Sequence, residues 1–145
     1  MLVGALVACG SPQPPAQKKT IEWVSAPTGE VAPFVKREET RAAQNGRRVL
    51  VYVGATWCEP CRRFHDAVKA GLLDDQFGTL SLVEFDLDKD GPRLAEAGYA
   101  PKLIPLLALP DAEGRASGRQ TEGSIKGNGA VADLVPRLRS LLQAY

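Results

Sequence analysis

The sequence is poor in thiols and imidazole, with Cys9, Cys58 and Cys61 as its cysteines and His65 as its single histidine. Three thiols cannot build the framework of a disulfide-stapled mini-protein. A structural zinc site takes four protein ligands, and Cys58, Cys61 and His65 supply one too few, so no metal and no other cofactor is expected. An excess of one charge is missing too: 18 basic against 17 acidic residues leave a net charge of +1. No run of five or six like charges occurs, which argues against nucleic acid or an anionic membrane surface as partner. The basic pairs at 18–19, 36–37, 47–48 and 62–63 read as solvated faces. The apolar run that opens the chain is far shorter than the ~20 residues a membrane-spanning helix needs.

What remains is an ordinary globular composition, 44% apolar and 24% charged over 145 residues. That length suits one domain with a core of its own. Its first eight residues are apolar or small, and Cys9 closes the tetrad Leu6–Cys9 before Ser, Pro, Gln and Lys take over. The tetrad resembles a bacterial lipoprotein signal, which implies cleavage before Cys9 and diacylglycerol on its sulfur. No positive residue precedes the run, which fits a leader cut short at its start. "SPQPPAQ" (11–17) reads as an extended tether, and roughly ten such residues at about 3 Å each reach some 30 Å. The expected plan is a leader at 1–8, an acylated cysteine and tether at 9–19, and one domain at 20–145. Such a protein would sit in the cell envelope, membrane-anchored and facing the periplasm or the exterior, where dithiols cycle with disulfides.

Within the domain, apolar periodicity predicts strands over 20–24, 48–55, 79–87, 104–110 and 119–127, with a turn at 111–115. Helices are expected over 33–45, 58–70, 92–98 and 130–143. Pro33 suits a first helical turn, Gly46 and Gly98 suit helix ends, and Pro136 should kink the last helix or delay its start. Strands alternate with helices and then meet across a tight turn. That order predicts an α/β architecture, parallel in its first part and closed by an antiparallel hairpin.

The chemistry gathers in "ATWCEPCRRFH" (55–65). Cys58 and Cys61 follow a strand that reads as buried on both faces, and they open a helix. Unpaired N–H groups and the helix dipole favour an anion there, by about 0.3–1 kcal/mol and up to ~2 in protected geometry. One pKa unit is about 1.4 kcal/mol, so a thiol near 8.5 would fall to around 7–8. Cys58 is thereby a nucleophile near neutrality, and Cys61, one turn on, can close a disulfide with it. Pro60 is tolerated because its missing N–H has no helical partner there, and Trp57 can cover the flank. Glu59 opposes the thiolate. A less stabilised thiolate is the stronger reductant, which favours reduction over oxidation.

"VLVYVGATWCEPC" (49–61) resembles the active-site strand and turn of thioredoxins, and residues 83–115 resemble that fold's third strand, third helix and proline-led strand. The resemblance spans about residues 20–143. It implies a three-layer fold with a mixed central sheet and helices on both faces. It also implies Cys58 as attacking thiolate, Cys61 as resolving thiol and Pro105 as a cis proline facing them. From the residues alone Pro105 should be trans, since about 5–6% of X–Pro bonds are cis. A cis bond would present the Ile104 backbone to a substrate strand. "Glu-Pro" between the cysteines also resembles membrane-tethered extracytoplasmic thioredoxins that reduce apocytochrome c thiols, although their extra insert is not evident. Many thioredoxins carry a buried aspartate below the cysteines; the matching position here is Tyr52, a poor base at neutral pH. Exchange could instead run through water, Glu59 or His65.

"DLDKDG" (86–91) matches the opening of a calcium loop, but its twelfth position is Ala97 where a bidentate glutamate is needed. A solvated strand-to-helix turn suffices. The reading that emerges is a monomeric protein-disulfide reductase with a disulfide-bearing protein as substrate and an upstream dithiol as donor. The alternative is a binding or holdase module of the same fold with a structural or idle dithiol.

Overall fold

A computed structural model describes residues 19–143, with Gly4 and Gly10. Apart from those two glycines, the leader, Cys9 and the tether up to residue 18 lie outside the described residues. The elements run β1 (Glu22–Ser25), α1 (Val31–Gln44), β2 (Arg48–Gly54), α2 (Glu59–Lys69), α3 (Asp74–Phe77) and β3 (Leu80–Asp86). They continue with α4 (Leu87–Glu96), β4 (Leu106–Pro110), β5 (Ala116–Glu122) and α5 (Ala130–Gln143). The sheet order is β1-β3-β2-β4-β5. β1 and β2 flank β3 in parallel, β4 runs antiparallel to β2, and β5 antiparallel to β4.

Side-chain alternation explains why β2 reads as one apolar run. Leu50 and Tyr52 point into a layer shared with Phe64 and Val68 of α2 and with Leu134 and Leu138 of α5. Val49, Val51 and Val53 point the other way, against Val35 of α1 and Leu94 of α4. With both faces covered, every inner position must be apolar. The same parity holds in β3, where Leu80 and Leu82 face α2 while Val83 and Phe85 face α4. The result is helices on both faces of a mixed sheet, the three-layer arrangement expected from the sequence.

Several boundaries differ from the sequence reading. The stretch 86–91 is not a turn before a helix at 92. Asp86 caps α4 by accepting from the N–H groups of Asp88 and Lys89, while Asp90 accepts in return from the Asp86 N–H. This reciprocal cap starts the helix five residues before Pro92, which lies inside it. Gly98, at φ +87°, closes that helix as its sequence position suggests. α1 begins at Val31, two residues before Pro33. The last strand is 116–122 and not 119–127, because its pairing with β4 begins directly at the 111–115 turn. α5 runs through Pro136, so the proline does not delay the helix's start. The one-turn α3 has no counterpart in the sequence reading; Asp74 within it accepts from the Ile21 N–H and ties it to the start of β1. Among the described residues no helix is long and apolar enough to cross a membrane.

Candidate active site

β2 delivers the chain to the end of the sheet, and Gly54 ends it beneath the site. A Cβ on Gly54 would meet the Tyr52 hydroxyl at 2.6 Å, so glycine leaves room for the tyrosine two residues earlier. The chain then turns through Thr56 and Trp57, and Cys58 becomes the N-cap of α2 in extended conformation. Its sulfur accepts the Cys61 N–H at 3.2 Å. That is one of the orphan donors of the first turn, aimed at the atom that would carry the thiolate charge. Cys58 and Cys61 form a disulfide with a Cα–Cα separation of 5.3 Å. Both are buried, at 4% and 2% exposure.

Pro60 occupies the first turn of α2, where its missing N–H costs no helical bond. The Ile104–Pro105 peptide is cis. The Ile104 carbonyl oxygen lies 3.8 Å from Cys58 Sγ, and the Pro105 carbonyl accepts from the Gly123 N–H. Trp57, next to Cys58, is 66% exposed, and its Nε1 donates to Asp88 on α4.

The three residues singled out for tuning each meet specific partners. Glu59 turns to the loop before α5: its carboxylate accepts the Gly127 N–H at 2.6 Å and lies 3.6 Å from Arg63. Arg63 in turn donates to Asn128. The push of Glu59 on the sulfurs is therefore smaller than the sequence suggests, because its charge is already compensated. Tyr52 occupies the position below the cysteines, and its hydroxyl donates to the Cys61 carbonyl at 3.4 Å. Burial, with the Glu84 charge second, pushes that hydroxyl far above its ordinary range, so it stays protonated. His65 stacks on Trp23 of β1 at 4.2 Å between ring centroids, and its Nε2 lies 2.9 Å from Glu84 Oε2.

Beside the disulfide lies a cleft of about 330 Å³ whose lining includes Tyr52, Cys61, Arg62, His65, Glu84 and Asp86. It reaches Cys61 and not Cys58. Glu84 escapes the sequence reading, although a signal exists. In "TLSLVEFDL" it falls in step with Leu80 and Leu82, where the face turns from apolar to acidic, and it pairs in register with Tyr52. No group of three or more His, Cys, Asp and Glu side chains among the described residues is arranged to hold a metal.

This sheet order, with a CxxC disulfide at the N-terminus of the helix after β2 and a cis proline opposite, is a thioredoxin-like α/β fold. No family model matches the chain, nor does any curated protein. Among solved structures it is similar to oxidised thioredoxin O1 of Arabidopsis thaliana (19% identity, TM-score 0.47, covering 87% of this chain and 98% of that one). It is also similar to a single-site mutant of a thioredoxin from Halobacterium salinarum (21%, 0.46, 90% and 97%) and to a poplar thioredoxin h (15%, 0.49, 87% and 99%). The fold assignment rests on the sheet order and the placement of the site.

Proposed function

We propose that the protein is a thiol–disulfide oxidoreductase that reduces protein disulfides outside the cytoplasm. The observation that carries this is the Cys58 sulfur at the helix N-cap, bonded to Cys61 and receiving its N–H. In the dithiol state the same N–H stabilises a Cys58 thiolate. That thiolate attacks a substrate disulfide and forms a mixed disulfide, and the first substrate thiol leaves. Cys61 then attacks Cys58 Sγ, the second substrate thiol leaves, and the dithiol has become a disulfide. An upstream dithiol protein restores it. The Ile104 carbonyl beside Cys58, with Trp57 exposed nearby, forms the face that a substrate strand would meet.

The reducing direction rests on a thiolate held by one backbone N–H, that of Cys61. The extracytoplasmic setting rests on the Leu6–Cys9 tetrad and the proline-rich tether. One observation favours the alternative of a binding module with an idle dithiol, namely the burial of both cysteines. Insulin turbidity assays separate the two. Wild type should precipitate insulin B chains with dithiothreitol as donor, and Cys58→Ser should not; equal rates would rule for the idle dithiol. Mass spectrometry of the protein from its native membrane should find lipid on Cys9, and an intact unmodified leader would refute the anchor.

A further inference from the structure

In the step that resolves the mixed disulfide, the Cys61 thiol must lose a proton although Cys61 itself is only 2% exposed and meets solvent only at the floor of the cleft it lines. Tyr52 cannot take it, because its hydroxyl is held protonated and already donates to the Cys61 carbonyl. Glu59 is bound to Gly127 and Arg63. Asp86 is occupied in capping α4. Asp66 lines the cleft but follows Cys61 by five residues, about 140° around the helix. His65 follows by four, on the same face and one turn below. It opens into the cleft that Cys61 lines, and Glu84 of β3 holds its Nε2.

Resting on the oxidoreductase reading above, we propose that His65, oriented by Glu84, accepts the Cys61 proton through the cleft when the mixed disulfide is resolved. The cleft has room for several waters at about 30 Å³ each, enough to bridge one helical turn. The Cys61 S–H bond breaks, its proton passes to the imidazole, and the thiolate displaces the substrate sulfur from Cys58. That leaving thiolate then takes a proton, so two thiols are released for one substrate disulfide. The groups facing His65 come from three strands and its own helix: Glu84 of β3 lies 2.9 Å from Nε2, and Asp86 at the end of β3 lines the same cleft. On α2 itself, Arg62 and Asp66 also line the cleft. Tyr52 from β2 and Trp23 from β1 supply neutral walls. Glu84 is a positioning residue; His65 carries the proton.

Stopped-flow reaction of the reduced full chain with dithiobis-nitrobenzoate reads the two steps apart, in a Cys9→Ser background that silences the third thiol. The first thionitrobenzoate released reports attack by Cys58, and the second reports resolution by Cys61. His65→Phe, which keeps a ring on Trp23, should slow the second phase about 100-fold, the lower end of what positioned proton transfer contributes. Glu84→Gln should slow it about tenfold, and in both variants the first phase should stay within about twofold of wild type. The lost rate should return as pH rises and hydroxide deprotonates Cys61, and added imidazole should restore it in His65→Ala. A second phase at wild-type speed in His65→Phe overturns the proposal. So does equal slowing of both phases, or a slow phase indifferent to pH and imidazole. A wild type that releases no second thionitrobenzoate overturns the oxidoreductase reading and this inference with it.

Discussion

A tyrosine hydroxyl and a missing methyl group show how tightly the ground beneath the sulfurs is filled. Tyr52 is 3% exposed, and its ring packs between Phe64 and the edge of Trp23. Gly54→Ala would place a methyl against the hydroxyl and ring of Tyr52, and should cost about 1–3 kcal/mol. Tyr52→Phe removes a single long hydrogen bond and should cost under about 1 kcal/mol. Because the hydroxyl is the first atom the new methyl meets, the double variant should lose less than the two costs summed. Urea unfolding of all four proteins measures that coupling, and strict additivity would show that the clash does not run through the hydroxyl. The pairing of the two cysteines was legible in the sequence, since spacing alone sets two sulfurs one turn apart. The contacts of Glu59 with Gly127 and of His65 with Glu84 were not, because those partners lie 68 and 19 positions away.

At the scale of elements, polar clusters fasten the helices to the sheet. Glu22 of β1 accepts from the buried Ser81 hydroxyl of β3 and from Arg41 of α1, with Arg47 close by. The Ser81 hydrogen bond leads, with the arginines adding, in holding the Glu22 carboxyl below its ordinary 4.5. A depressed folded-state pKa means that this stabilisation is present above the unfolded value and fades as pH falls through the folded one. Glu22→Gln should therefore unfold at lower urea than wild type at neutral pH. The gap should close well below pH 4.5, and a gap that persists in acid would deny the carboxylate its part. The reciprocal cap of α4 belongs to this scale as well. Asp86 and Asp90 form the sequence pattern of a helix start, but Pro92 and Gly91 masked it, and their breaking tendency is outweighed only once both carboxylates meet backbone N–H groups.

For the whole molecule, the direction of electron flow and the stability of the fold are one quantity. A dithiol that reduces others gains stability when it closes its own disulfide, and one that oxidises loses it. Closing a ring of four residues removes conformational freedom worth about 2 kcal/mol from the unfolded chain. For a chain of this length that corresponds to a melting point roughly 4–8 °C higher in the oxidised form. Calorimetry on oxidised and reduced protein tests the sign: a reduced form that melts higher would mark an oxidant and remove the reducing half of the proposal.

By itself the sequence determined the alternation of strands and helices, the buried character of β2 and the placing of Cys58 and Cys61 at a helix start. Those features depend on period, on spacing and on a few residues of local backbone. Only the tertiary structure decided what surrounds the sulfurs. Parallel pairing of β2 with β3 sets Glu84 beside Tyr52, β1 brings Trp23 over His65, and the loop before α5 takes up Glu59. Contacts of that kind arise when distant segments are held in register by a shared core, and no local pattern encodes them.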